Sequence, residues 1–223
     1  MTKNILFILT LLMGTGFLNA YAQEPKNLEL AKRSVARYHD SGEYAGDLQK
    51  VINSAERYLD QRVAENNQAA TKKKLALVLD IDETSLSNYK TIAELNFGGS
   101  LSEINSIIGQ GTDTPIAETV ALYRDANAKG VAVFFITGRD QQNLLAATEK
   151  NLKSAGYTHW QGLFLRPHTD HNKSIVPFKS SMRKKLEAQG YDIIENVGDQ
   201  YSDLKGGYAD ATFKLPNPFY YLP

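Results

Sequence analysis

The stretch Leu75-Ala76-Leu77-Val78-Leu79-Asp80-Ile81-Asp82-Glu83-Thr84 decides the fold. An unbroken apolar run of this length is the pattern of a strand buried on both faces, as strands of parallel sheets are. The run ends in two acids with only Ile81 between them. An unpaired buried carboxylate is costly, so Asp80 must be paired, bound to a metal or chemically employed. Two carboxylates at one strand end also repel each other, which calls for a cation nearby.

Downstream of this strand the chain alternates. Strand-like runs fall at Val131–Ile136, Gly162–Leu165, Asp192–Val197 and Ala211–Leu215, with helical patterns between them at Ile116–Lys129, Gln141–Ala155 and Phe178–Gln189. Strand–helix alternation predicts an α/β fold with a central parallel sheet and helices on both faces. Ligands bind such sheets at the carboxyl ends of the strands. The segment 85–115 interrupts the alternation. It is longer than an ordinary strand-to-helix loop, is punctuated by Gly98-Gly99, Gly109 and Gly111, and has a helical pattern over Leu101–Ile108. An insert there reads either as a small cap or lid over the functional end of the sheet or as a surface excursion with no role.

Upstream, Asn27–His39 and Glu43–Glu65 carry helical spacing, broken by Asp40-Ser41-Gly42. They read as a helical hairpin packed on the main domain, followed by a polar linker over 66–74. The first segment reads as an export signal. It has a single charge at Lys3, an apolar core over Ile5–Leu18 and an Ala20-Tyr21-Ala22 cleavage pattern, so the mature chain is expected to start at Gln23. The expected organisation is therefore a signal peptide (1–22), an N-terminal helical extension with linker (23–74) and an α/β core (75–223) that contains the 85–115 insert.

Composition narrows the function classes. The formal net charge is +0, and no basic stripe suits a nucleic-acid polymer. The chain has no cysteine, which excludes disulfides and a lipid-modified N-terminal cysteine. Once the signal is cleaved, no membrane association is expected, and the product would be periplasmic or secreted.

Three further strand or helix ends carry chemistry. Ile136-Thr137-Gly138-Arg139 ends an apolar strand in a hydroxyl, a glycine and a cation, a combination that holds phosphate well because Gly138 lets backbone N–H groups approach. Lys179 lies near the start of a helix, where the dipole favours an anion, and Arg183 one turn later competes for that role. Gly198-Asp199-Gln200-Tyr201-Ser202-Asp203 ends a strand in a second acidic pair, and Asp199 with Asp80 would suit a hard cation such as Mg²⁺.

The order of these motifs resembles the haloacid dehalogenase (HAD) superfamily of phosphatases. More narrowly, the chain resembles the exported class B-type acid phosphatase subfamily, subfamily IIIB, which also includes plant vegetative storage proteins. Leu79–Asn88, Lys179-Ser180 with Arg183, Gly190-Tyr191 and the tail Lys214-Leu215-Pro216-Asn217-Pro218 carry that likeness, which extends over nearly all of the mature chain. The resemblance implies a Rossmann-like core with a small cap and hydrolysis of phosphate monoesters through a phosphoaspartate on Asp80. Asp82 would be the general acid and base, starting protonated with a raised pKa. Asp80, the main-chain carbonyl of Asp82 and Asp199 would hold Mg²⁺. Thr137, Gly138 and Lys179 would bind the phosphoryl group, with Asp203, Arg139 and Arg183 in support. Two other readings stand beside this one. A signalling receiver domain uses similar residue types but normally divides its acids between strands. A catalytically idle storage or phosphate-ligand-binding protein would keep the pocket without the turnover.

Overall fold

The computed structural model describes residues 22–170 and 174–222. The expected signal peptide, apart from Ala22, lies outside the described residues, as does His171. The central sheet contains β1 (Lys74–Leu79), β4 (Ala132–Asp140), β5 (Gly162–Arg166), β6 (Tyr191–Gly198) and β7 (Ala211–Lys214), in the order β5-β4-β1-β6-β7. Every neighbouring pair is parallel. β1 lies at its centre, and its side chains alternate between two cores. Leu75, Leu77 and Leu79 belong to the larger core, whereas Ala76 and Val78 belong to the smaller one. An unbroken apolar run is what a strand covered on both sides requires.

Each expected strand and helix of the α/β core is present. The main boundary difference is β4, which runs past Ile136 to Asp140. Its register with β5 shifts between Thr137 and Asp140, so the Thr-Gly-Arg stretch is an irregular strand end rather than the start of a turn. The cap of the next helix, α6 (Gln141–Ser154), is Asp140; its carboxylate accepts from the Asn143 N–H at 2.8 Å.

Helices cover both faces. α2 (Glu43–Gln68) buries Tyr44, Leu48, Ile52, Ala55 and Leu59, a stripe at three- and four-residue spacing. This stripe joins the larger core with Leu122, Tyr123 and Ala126 of α5 (Ala117–Ala128). On the other face, Leu186, Phe178 and Met182 of α7 (Val176–Ala188) pack on Val78, Phe134 and Ile193. α1 (Leu28–Asp40) is capped by Asn27 but buries no residue completely, and Leu28 and Leu30 are exposed. The expected linker is tighter than its polarity implied. α2 continues to Gln68, and the Asn66 amide both donates to and accepts from the Lys73 backbone, at 3.1 and 2.8 Å.

The 85–115 insert holds more structure than its sequence announced. α4 (Leu101–Ile108) is the expected helix, opened by a Ser100–Glu103 capping box. α3 (Tyr89–Glu94) precedes it, and the two ends of the insert are joined by an antiparallel pair, β2 (Leu86–Ser87) with β3 (Thr114–Pro115). Ile104 and Ile108 of α4 pack on Leu144 of α6 and Leu165 of β5. Gly111 sits at φ +65°, where an added Cβ would lie 2.9 Å from the Ala147 carbonyl oxygen, so the return of the insert over α6 requires glycine.

Candidate active site

Asp80 and Asp199 directly follow the adjacent parallel strands β1 and β6, so the fold brings together two acids that are remote in sequence. The neighbouring connections leave in opposite directions at this point, which is where open α/β sheets form a crevice. The Asp80 N–H donates to the Val197 carbonyl at 3.0 Å, carrying the ladder one residue past the strand. The Lys179 ammonium lies 2.5 Å from Asp80 Oδ1 and 2.7 Å from Asp203 Oδ1. Asp203 comes from α8 (Tyr201–Leu204), and its other oxygen accepts from the Gln200 N–H at 2.8 Å. All four charged side chains are buried. Gly198 makes the approach possible, since a Cβ there would lie 2.5 Å from Asp203 Cβ.

Two carboxylates thus share one ammonium, with the Asp199 carboxylate close by. Burial raises Asp80 well above the ordinary carboxylate range; Lys179 opposes this, while Asp203, Asp199 and Asp82 add to it. Burial, Asp203 and Glu83 push Asp199 up to about 7. Lys179 stays charged, because Asp203 and Asp80 outweigh the cost of its burial. Asp80, Asp199 and Asp203 each offer an oxygen within 4.8 Å of the others. An all-oxygen donor set with surplus negative charge fits a hard divalent cation.

Asp82 is held quite differently. Arg139 forks onto it, with Nε at 3.1 and 3.2 Å from its two oxygens and one Nη at 2.8 Å. That Nη also donates to Asp113 Oδ2 at 3.0 Å, and the Asn88 amide donates to Asp82 at 2.8 Å. Burial raises the Asp82 pKa, but the charge and hydrogen bonds of Arg139 outweigh it and leave the carboxyl below its ordinary value. The expectation of a raised pKa is therefore corrected: the resting site holds Asp82 ionised. The physical reason is a guanidinium 57 residues away in sequence.

Thr137 is fully buried, and its hydroxyl accepts from the Arg139 N–H at 3.1 Å; Gly138 is the exposed residue of this strand end. Arg183 does not compete with Lys179. Its guanidinium is buried and donates to the carbonyls of Asp203, Lys205 and Gly207, so it braces the loop that carries Asp203. His168 pairs with Asp140 at 2.9 Å. The aromatics Tyr89 and Phe97 of the insert pack together, and Tyr89 stacks on His39 at 3.3 Å and donates to Asp40.

Several residues of the site escaped the sequence reading. Glu83 is fully buried at φ 51°, accepts from the Asn88 N–H and the Tyr220 hydroxyl, and is pushed up to about 8 by burial and by Asp82. Thr84 donates to Asp199 Oδ1 at 3.1 Å. Gln200 and Asn217 both donate to Asp199 Oδ2, at 2.9 and 2.7 Å. Glu83 and Thr84 lie within the opening motif and Asn217 within the tail motif. Asp113 carried no signal, because its role depends on Asn151 of α6 gripping its backbone at 2.9 and 2.7 Å.

Several known proteins are similar to this chain. Acid phosphatase 1 of Solanum lycopersicum is 35% identical over 149 residues, covering 65% of this chain and 58% of that protein. Vegetative storage protein 2 of Arabidopsis thaliana is 34% identical over 152 residues, 66% of this chain and 56% of its own length. The chain thus spans less than two thirds of these relatives. A stem 31 kDa glycoprotein of Glycine max is 31% identical over 192 residues, covering 83% of this chain and 72% of that protein. Among solved structures, the class C acid phosphatase from Bacillus anthracis shares the fold, with a TM-score of 0.70 at 23% identity and 87% coverage of each chain. The profile of the HAD superfamily, subfamily IIIB (Acid phosphatase), matches residues 18–223, and the chain belongs to that family.

Proposed function

We propose that this protein is an exported, Mg²⁺-dependent acid phosphatase that hydrolyses small phosphate monoesters through a phosphoaspartate. The observation that carries the reading is the tip of β1. There Asp80 sits beside Lys179 and two further carboxylates, while Asp82, two residues on, is oriented by Arg139. One Asp80 oxygen attacks phosphorus, and the bond from phosphorus to the leaving oxygen breaks. Asp82 gives that oxygen a proton, then takes one from the water that attacks the phosphoaspartate and releases phosphate. Lys179, Thr137 and the backbone at Gly138 receive the phosphoryl oxygens. Asp80 and Asp199, with the Asp82 carbonyl and Asp203 beside them, would hold Mg²⁺, which when bound lowers the repulsion between carboxylate and phosphate. Because Arg139 keeps Asp82 ionised at rest, the proton for the leaving group must be taken up, and an acidic medium favours that. The insert over 85–115 contributes Asn88 beside Asp82 and Asp113 beside Arg139, which supports a part for it in selecting the leaving group.

The names of the storage-protein relatives favour a second reading, a catalytically idle pocket. Phosphate release from a panel of monoesters separates the two, measured from acid to neutral pH with Mg²⁺ or EDTA, on wild type and Asp80→Asn. Turnover is expected only with Mg²⁺ and Asp80 together. No release by wild type on any monoester would sink the phosphatase reading and leave the idle one.

A further inference from the structure

The segment after β7 does not trail away from the molecule. The Leu215 N–H donates to the Gly198 carbonyl at 2.9 Å, directing the chain across the end of β6 beside Asp199. Asn217 then faces two ways. Its amide nitrogen donates to Asp199 Oδ2 at 2.7 Å, while its oxygen accepts from the Phe219 N–H at 2.8 Å and the Tyr220 N–H at 3.4 Å. The second set is an Asx-type turn that fixes the side chain which holds Asp199. Phe219 is buried against Tyr44 and Tyr89, with ring centroids at 5.2 and 5.1 Å. The Tyr220 hydroxyl donates to Glu83, whose other oxygen accepts from the Asn88 N–H at 2.6 Å. The Leu222 N–H returns to Gln200 Oε1 at 3.2 Å, and the Gln200 amide donates to Asp199.

We infer that residues 215–222 form a strap that sets the cation affinity of the site, with Asn217 as the positioning residue for Asp199. The proposal rests on the reading that Asp80, Asp199 and Asp203 hold a divalent cation. A carboxylate has about four acceptor positions on its two oxygens. At Asp199 three are taken, by Thr84, Gln200 and Asn217. The carboxylate is thereby locked in one orientation with one position left for a cation. Thr84 and Gln200 come from the loops that follow β1 and β6. The Asn217 donor is contributed by the strap and is the shortest of the three contacts. Without it Asp199 would be free to turn, and a cation would have to order the carboxylate at its own expense. Partners that orient a ligating carboxylate typically contribute about 10–100-fold to metal affinity.

The test is calorimetric titration of the full chain with MgCl₂, without substrate, beside melting curves in EDTA and in saturating MgCl₂. Wild type is compared with Asn217→Ala and Asn217→Ser. The serine hydroxyl can still close the turn on Phe219 but is too short to reach Asp199. Both variants are expected to bind Mg²⁺ about 10–100-fold more weakly and to show a smaller Mg²⁺-induced rise in melting temperature, while melting near wild type in EDTA. Should the alanine variant fail to fold, the serine variant decides. Wild-type affinity in a folded variant overturns the strap and leaves the cation site standing. Failure of wild type itself to bind Mg²⁺ overturns the cation reading and the strap together.

Discussion

At Asp80, burial and neighbouring carboxylates oppose ionisation; at Asp82, two residues on, a guanidinium enforces it. The acids were legible as a pair because two carboxylates so close at the end of a buried apolar run need a cation or a chemical task to hold them there. Their difference was not, since Arg139 reaches Asp82 from another part of the chain and is itself held by Asp113. Asp113 is itself a half-buried acid, raised by burial and by Asp82 and held down by Arg139. Arg139→Lys keeps the charge but cannot span Asp82 and Asp113 at once. With Asp82 misplaced, kcat is expected to fall about 10²-fold, with a smaller change in KM. Steady-state kinetics on whichever monoester turns over best would check this, and unchanged kcat would remove Arg139 from the positioning of Asp82.

Among elements, those spelled out by hydrophobic period were legible: the five strands of the sheet, α2 and the helices between strands. Those missed are short. α3, α8 and the β2–β3 pair are too brief for a periodic signal, and tertiary contacts hold them. The irregularity in β6 was equally hidden. Its register against β1 shifts between Ala76 and Leu77, which pair with Ile193 and Glu195, so Ile194 is the extra residue. Glu195 is fully buried, and neither of its oxygens makes a hydrogen bond of ordinary geometry with the described residues. Burial pushes it up to about 8; Asp125 of α5 and Glu56 of α2 add to this, and the Leu59 backbone of α2 offsets a part. The unfolded chain would ionise this group near its ordinary 4.5. Between those two values the unfolded state gives up a proton that the native state keeps, so stability falls as pH rises through that window and levels off above it. Glu195→Gln should therefore raise the melting temperature most on the alkaline side and little near pH 4.5. Melting curves across that range would show it, and a pH-independent gain would contradict it.

At the scale of the whole molecule, strand–helix alternation was enough to give a parallel sheet and to place the site at its carboxyl end. It could not show that the two chain extensions converge there, because that meeting depends on rings rather than on period. His39 of α1 and Phe219 of the strap both pack against Tyr44 and Tyr89. A chain stopped after Leu215 keeps β1 to β7 and the Leu215–Gly198 bond but loses Asn217 and Tyr220. It is expected to retain strand content by far-ultraviolet circular dichroism while losing Mg²⁺-dependent phosphate release; full release from that chain would show the extension to be dispensable. Tyr220 follows its partner Glu83 by 137 residues. During synthesis, Asp80 and Glu83 therefore leave the ribosome long before the residues that finish their surroundings. On the function proposed above, a chain still being made would carry Asp80 and Asp82 before the strap that steadies Asp199, and phosphate release is expected to begin only once that strap is in place.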